Sequence, residues 1–283
     1  MMREITLGQY YPVRSVIHSL DPRAKLVLMI AYIVMIFFVD TFVGYGLVLL
    51  FLLLVIFLSK VPLGKVLKSL KMILFLVIFT VVMSVLFYNG NENDLLWGWG
   101  IIRIYSQGLI NAGKMALRLI FLVLGPTILT FTTTPVQLTD ALESLLKPLS
   151  YIKVPVHSLA MVMSIALRLI PTLVEETDKI QNAQKARCAD FETGNIFKRA
   201  KAMLPVLIPL FVSSFRRADE LADAMDSRCY RGAKGRTRMK KMHFRLRDAV
   251  SLLIFALFFF VILWLRYNFF PAFFDLSLLT WLV

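Results

Sequence analysis

The sequence has few of the side chains that catalysis and metal binding use. Its 283 residues include only two cysteines and three histidines, and the histidines (His18, His157 and His243) are far apart in the chain. No His-Glu-x-x-His zinc signature and no Gly-rich phosphate loop ending in Lys-Ser/Thr is present. No Ser or Cys can be assigned a general base that would activate it as a nucleophile. We therefore expect a protein that is not an enzyme, binds no metal or cofactor of its own, and does not hydrolyse ATP through the usual loop.

The two cysteines, Cys188 and Cys229, each follow an arginine in a strongly basic part of the chain. Such surroundings predict a cytoplasmic location, where structural disulfides are rare. Two cysteines without a nearby histidine do not make a zinc site. We interpret them as small packing residues at helix ends.

Acidic residues are also scarce, with 18 Asp+Glu against 32 Lys+Arg. Asp40 and Asp248 lie at the ends of predicted membrane spans, whereas an ion-coupled transporter more often carries buried carboxylates. Three basic side chains within apolar segments hint at a polar path: Lys114, Arg118 and Arg168. A stand-alone secondary transporter or channel is therefore the alternative function.

Apolar residues dominate the composition, at 58% with a mean hydropathy of +0.73. Soluble globular proteins have about 45–50% apolar residues, so the sequence predicts an integral membrane protein. Five apolar runs are predicted spans, at 26–39, 45–58, 72–88, 107–130 and 249–265. The first two form a short-looped hairpin or, alternatively, one long tilted helix. Asp21 and Pro22 are a helix cap and first helical residue before the first span.

Basic residues are distributed unevenly between the two sides of these spans. Segments 1–25, 60–71 and 175–247 carry 4, 4 and 17 Lys+Arg, whereas loops 40–44 and 89–107 carry 0 and 1. The positive-inside rule then places the N-terminus in the cytoplasm and, with five spans, the C-terminus outside. We interpret 60–71 as a basic cytoplasmic turn.

The run 228–247 contains nine Lys+Arg and no acidic residue. A nucleic-acid-binding patch would look similar. Because the run directly precedes the last span, it is better explained as a topology signal and a contact for anionic lipid of the bilayer. We expect no nucleic-acid partner.

Three amphipathic segments lie between the fourth and fifth spans. The first begins at Thr134-Pro135-Val136-Gln137, a capping box. Its leucines, including Leu138, Leu142, Leu145 and Leu146, recur at helical spacing, so the helix should lie on or against another surface. The second is predicted as one long helix over 156–187, partly in the membrane, and the third as a cytoplasmic or interfacial helix over 196–228.

The second and third segments share a pattern that ends in Arg187 and Arg228. Four and seven residues before each arginine the sequence has Ala183 and Ile180, or Ala224 and Leu221, all on the face of the arginine. Nine residues before it, on the opposite face, is an aspartate in both. Each segment can dock as a helix in a partner's groove. The arginine guanidinium, with its forked N–H donors, then lies at the negative end of the helix dipole. Two such ends suggest a partner with two similar grooves, such as a dimer of homologous subunits.

These observations predict an all-α integral membrane protein with about five transmembrane helices and a cytoplasmic block of amphipathic coupling helices. The predicted regions are 1–131 with four transmembrane helices, 132–248 with the cytoplasmic or interfacial coupling helices, and 249–283 with the last transmembrane helix and an extracytoplasmic tail.

Nearly the whole chain resembles the transmembrane T component (EcfT) of energy-coupling factor transporters, which are ABC-type importers of vitamins and metal ions. The resemblance rests on Leu20-Asp21-Pro22-Arg23, on the stretch 134–143, on Arg168-Leu169-Ile170-Pro171-Thr172-Leu173 and on the two arginine-ended segments. The ends in that family usually read Ala-Arg-Gly, and here cysteine replaces glycine twice. How the helices end without glycine is left open.

The resemblance implies a subunit that couples two cytoplasmic ATPases, a homodimer or a homologous pair, to a substrate-binding S component in the membrane. It places ATP with Mg²⁺ on the ATPases and the chain in the cell membrane, with one T component able to serve several S components. The implied ATPase-binding residues are Ile180, Ala183, Ala186, Arg187, Cys188, Leu221, Ala224, Ser227, Arg228 and Cys229. The implied platform for the S component includes Leu138, Leu142, Leu145 and Leu146.

Overall fold

The computed structural model describes residues 10–88, 95–99, 102–191, 195–232 and 243–266. Within these ranges the chain forms eight α-helices: α1 (Pro22–Phe37), α2 (Phe42–Ser59), α3 (Leu63–Leu86), α4 (Ser106–Thr132), α5 (Pro135–Leu146), α6 (Val156–Ala186), α7 (Ile196–Ser227) and α8 (Leu246–Trp264). A 3₁₀ helix, Lys147–Ile152, follows α5. The predicted helical membrane fold is confirmed. One short antiparallel hairpin, β1 (Leu95–Trp99) with β2 (Ile102–Tyr105), was not predicted.

Among the residues that the structure describes, four helices are long and apolar enough to cross a membrane, namely α2, α4, α6 and α8, and α3 is a fifth if its two parts form one span. The parts of α3, Leu63–Lys71 and Ile73–Leu86, are bent by 54° relative to each other. The first predicted span is the 16-residue helix α1, shorter than these helices. The segment 156–174, whose membrane depth the sequence left open, belongs to α6.

The first two apolar runs form two helices, as the hairpin interpretation predicts, and not one long helix. Each helix begins at a local cap. The Asp21 carboxylate accepts the N–H of Arg23 at 2.9 Å, and the Thr41 hydroxyl accepts the N–H of Gly44 at 3.2 Å. Both caps satisfy backbone N–H groups that the helix itself leaves without a partner.

The predicted basic turn over 60–71 is wrong for most of its length. Helix α3 begins at Leu63, so Lys65, Lys68 and Lys71 lie in its first part. Lysine has a good helix propensity, and Pro62 lies just before the helix, where it does not interrupt it. The turn is confined to residues 60–62, where Lys60 has a left-handed φ of 56°.

The chain divides into two compact units. The first, 8–138 with 242–283, contains α1 to α4 and α8, and α4 packs against α1, α2 and α3. Its core includes the fully buried side chains of Met35, Ile36 and Val48. The second, within 139–241, contains most of α5 together with α6 and α7, which pack against each other.

A buried polar cluster in the first unit joins the starts of α1 and α8 to the end of α4. We call it the Lys25 cluster. The Asp248 carboxylate accepts the backbone N–H of Asp21 at 2.7 Å, and the Lys25 ammonium donates to the carbonyl of Thr132 at 2.9 Å. Thr132 is the last residue of α4, two residues before the capping box of α5. The cluster therefore fixes the point from which the chain leaves the first unit.

Arg118, one of the basic residues that hinted at a polar path, holds the α1–α2 turn against α4. Its guanidinium donates to the carboxylate of Asp40 and the carbonyl of Val39, each at 3.1 Å, and to the hydroxyl of Tyr45 at 3.3 Å. Arg266, after α8, lies 3.2 Å from the same Asp40. These contacts give Arg118 a structural role.

Candidate functional site

Helix α6 ends at a Schellman motif centred on Cys188. Arg187 is the last partly helical residue, and Cys188 follows in the left-handed region with a φ of 65°. The N–H of Cys188 donates to the carbonyl of Lys185, and the N–H of Ala189 donates to that of Gln184, both at 3.0 Å. This pair of hydrogen bonds defines the motif and satisfies carbonyls that the helix end leaves free.

Helix α7 ends in the same way. Cys229 has a φ of 55°, its N–H donates to the carbonyl of Asp226 at 2.9 Å, and the N–H of Tyr230 donates to that of Met225 at 3.0 Å. Cysteine thus occupies the left-handed position after each helix, where glycine is the usual residue. Both helices therefore end in a Schellman motif without glycine. A left-handed conformation costs a residue with a side chain about 1–2 kcal/mol.

The three residues at each helix end, which we call the tips (186–188 and 227–229), are all exposed. The side chains of Arg187 and Arg228 make no ion pair within the part of the chain that the structure describes. Cys188 and Cys229 are free thiols at helix ends, as predicted, but their exposure means that they do not pack within this chain. Each tip therefore presents a guanidinium and a thiol at the negative end of a helix dipole.

The apolar stripes that lead to the tips are largely uncovered. Ala183, Leu221 and Ala224 are exposed, and Ile180 is half-buried. A stripe of small and aliphatic side chains ending in an arginine matches the predicted docking face of each helix.

One ion pair, which the sequence analysis missed, joins the two helices along the same stripes. Arg217 of α7 donates to the carboxylate of Glu176 of α6 at 2.7 Å, and the Ser213 hydroxyl donates to the other oxygen of that carboxylate. Glu176 and Arg217 each lie eleven residues before the arginine of their tip. Eleven residues bring a helix back to within about 20° of the same face and span about 16 Å. This equal spacing is the sequence signal from which the ion pair could have been predicted.

Helix α5 begins at the predicted capping box. The N–H of Thr134 donates to the side chain of Gln137 at 3.2 Å, and the N–H of Gln137 donates to the Thr134 hydroxyl at 3.3 Å. Of its predicted platform residues, Leu142 and Leu146 are exposed and Leu138 and Leu145 are half-buried. The apolar face of α5 is therefore partly open.

One further side-chain contact lies in the second unit. His157 Nδ1 lies 2.9 Å from the Glu143 carboxylate and joins the start of α6 to α5. Within the described ranges, no cluster of three or more His, Cys, Asp or Glu side chains could hold a metal ion.

Comparison with known proteins identifies the family. Residues 13–241 match the family model of CbiQ, described as a cobalt transport protein. A protein of Clostridium kluyveri, named energy-coupling factor transporter transmembrane protein EcfT, is 52% identical over 251 residues, which cover 89% of this chain and 93% of the relative. The chain belongs to the CbiQ/EcfT family.

Other relatives give the same result. The EcfT protein of Ruminiclostridium cellulolyticum is 49% identical over 95% of this chain and 100% of its own length. That of Bacillus subtilis is 43% identical over 90% of this chain and 97% of its own length. The resemblance drawn from the sequence motifs is confirmed, and this EcfT-family chain is a transporter membrane protein with several apolar helices.

Proposed function

We propose that this chain is the coupling subunit of an energy-coupling factor transporter. It joins two cytoplasmic ATPase subunits to one substrate-binding S component at a time for uptake of a vitamin or other micronutrient. The chain catalyses no reaction itself, and ATP with Mg²⁺ is bound by the ATPases. The observation that carries the proposal is that α6 and α7 end in two exposed arginine tips with the same backbone geometry.

Each tip docks in a groove of one ATPase subunit. A Schellman end holds Arg187 or Arg228 in a defined position, and the uncovered stripe behind it supplies apolar area. The guanidinium can donate to a carboxylate or to carbonyls of the groove. If the contact is buried, each arginine contributes about 2–5 kcal/mol to the association.

The Glu176–Arg217 pair makes the two tips move together. The pair lies about 16 Å from both arginines along their helices. A displacement of one tip by ATP-driven closure of the ATPases is therefore passed to the other helix at a common point. The partly open leucine face of α5 is the platform for the S component, which reorients across the membrane as the helices move.

The chain lies in the cell membrane with its N-terminus in the cytoplasm and its C-terminus outside. The uneven distribution of basic residues supports this orientation. It puts both tips on the side where ATP is available.

The alternative, a stand-alone secondary transporter or channel, needs a polar path through the spans. Arg118, the innermost basic residue of α4 in the sequence pattern, is bound to Asp40, Val39 and Tyr45. This structural role of Arg118 favours the coupling function over the alternative.

The test is co-purification of the ATPases with the double variant Arg187→Glu, Arg228→Glu. We expect association to be lost while insertion into the membrane is unchanged, and each single variant to weaken it. The matched control is Asp178→Lys with Asp219→Lys, a charge change of the same size and opposite sign on the exposed opposite faces of the same helices, which should retain the ATPases. If the double arginine variant still assembles and supports uptake, the proposal is wrong.

A further inference from the structure

An apolar cavity of about 490 Å³ lies within the first unit. Its walls come from the turn before α1 and from one half each of α1, α2, α4 and α8. These are the first halves of α1 and α8 and the second halves of α2 and α4. All four halves lie at the same predicted side of the membrane, the cytoplasmic side.

The polar side chains that line the cavity are, with one exception, already bonded inside the protein. The ammonium and hydroxyl groups donate to backbone carbonyls: Lys25 to Thr132, Tyr32 to Phe121, Thr132 to Ile128 and Ser251 to Asp248. Burying an unpaired polar group costs about 1–3 kcal/mol in proteins, so a polar solute gains little from this wall. The cavity suits a hydrocarbon.

The exception is Arg247, at the start of α8. Its side chain is exposed, lines the cavity and has no ion pair within the described ranges. The neighbouring lining residues Val250 and Ile254 are more than half exposed, at 54% and 55%, so the cavity opens outward along α8. Arg247 also ends the basic run 228–247, which contains nine Lys+Arg and no acidic residue.

We propose that this cavity binds one acyl chain of an anionic phospholipid, with the lipid phosphate on Arg247. Arginine donates to phosphate oxygens with a forked pair of N–H groups. In the sequence, Arg247 ends a run rich in Lys and Arg, a composition that favours anionic headgroups. The volume lies within the range of about 300–1,000 Å³ that is usual for small-molecule sites. A transmembrane helix of a partner, about 10–12 Å across with its side chains, is a poorer fit.

The experiment uses the full chain reconstituted into vesicles of equal parts phosphatidylcholine and phosphatidylglycerol. The protein is then extracted in mild detergent and washed, and the retained lipids are counted by mass spectrometry. We expect phosphatidylglycerol to be retained about fivefold over phosphatidylcholine, the selectivity that one basic residue near a membrane supplies.

Two pairs of variants separate the headgroup contact from the cavity. Arg247→Gln should remove the preference, whereas Arg245→Gln, an exposed arginine that does not line the cavity, should keep it. Ile254→Trp fills the cavity and should reduce the retained lipid several-fold, whereas Leu253→Trp, on the neighbouring exposed position outside the cavity, should not. Ser251→Leu serves as a second filling variant if Ile254→Trp fails to fold.

Three results would overturn the inference. The first is equal retention of the two lipids by the unmodified chain. The second is the same preference in Arg247→Gln as in Arg245→Gln. The third is unchanged retention in both filling variants, which would mean that the lipid binds elsewhere or that the cavity takes an apolar segment of a protein partner.

Discussion

Glu176 and Arg217 form an ion pair at 2.7 Å, and each occupies the eleventh position before the arginine that ends its helix. The pair therefore joins α6 and α7 at corresponding positions, on the face that also carries each tip. Both side chains are partly buried, with 21% of Glu176 and 35% of Arg217 exposed. The two helices are thus matched in sequence pattern, in the geometry of their ends and in the place where they are tied together.

Exchanging the charges of this pair should preserve the tie, while changing one residue should break it. Glu176→Arg or Arg217→Glu alone brings like charges together, and we expect each to lower stability by about 1 kcal/mol or slightly more and to impair coupling of ATP hydrolysis to uptake. The double exchange should restore much of both. Thermal unfolding and uptake in vesicles measure the two effects.

The control for the exchange is the adjacent pair Glu175 and Arg216, exposed residues that also lie at equal distances from the tips. Exchanging their charges should leave stability and uptake near the unmodified values. If the 175/216 exchange has the same effect as the single changes at 176 and 217, the tie between the helices is not specific to the observed pair.

The left-handed backbone at Cys188 and Cys229 predicts an unusual order of substitutions. Glycine at either position should stabilise the helix end by about 1 kcal/mol, because it adopts this conformation without steric cost. Alanine should behave like cysteine, since the strain comes from the Cβ atom, and valine should destabilise the end further. Hydrogen exchange of the N–H groups of Ala189 and Tyr230 measures these effects. Faster exchange in the glycine variants than in the alanine variants would contradict the assignment.

Lys25 should contribute strongly to the stability of the first unit through its buried hydrogen bond to Thr132. Lys25→Met leaves the Thr132 carbonyl without its donor and removes the positive charge beside Asp21 and Asp248. We expect a loss of about 2–3 kcal/mol, measured as a lower thermal unfolding midpoint. Lys68→Met, at an exposed position of α3, should change stability by no more than about 0.5 kcal/mol. Equal effects of the two variants would show that the cluster contributes nothing.

His18 should make the first unit less stable in acid. Burial, with a smaller contribution from the charge of Lys25, lowers the pKa of His18 below its ordinary value of 6.5. The unfolded chain therefore binds a proton before the folded chain does, and stability that is complete above about pH 6.5 is lost as the pH falls below it. The hydrogen bond from Nε2 to the carbonyl of Tyr11, at 3.0 Å, raises the pKa of His18 and opposes burial only in part, and the Ser15 hydroxyl lies 2.7 Å from Nδ1.

The measurement is the unfolding midpoint between neutral and mildly acidic pH, compared with His18→Gln. The variant should lose less stability on acidification than the unmodified chain. His157 and His243 are present in both proteins, so the difference isolates His18. An equal or larger loss in the variant would contradict a lowered pKa.

The features that the sequence predicted correctly are set by residues close to one another in the chain. The caps at Asp21 and Thr134 use partners within three residues. Apolar runs and helical periodicity extend over continuous segments of the chain. The order of the helices and the two tips could therefore be predicted from local patterns. The predicted turn over 60–71 is wrong because lysine favours helix, and α3 begins at Leu63.

The features that the sequence did not predict are of two kinds. The pairs Arg118–Asp40 and Glu176–Arg217 join residues far apart in the chain, and their partners follow only from how the helices pack. The Schellman ends at Cys188 and Cys229 were missed because cysteine has no preference for a left-handed backbone, and here the helix end imposes it.

The central proposal, that each tip lies in an ATPase subunit, can be tested with the two cysteines of the chain. Cys188 and Cys229 are its only cysteines, are exposed, and directly follow the two arginines. A short thiol-reactive photo-crosslinker on either single-cysteine variant, Cys229→Ala or Cys188→Ala, should link the assembled chain to an ATPase subunit from each position, and the variant without cysteine should give no product. Crosslinks to an S component alone, or to no ATPase from either position, would contradict the proposal.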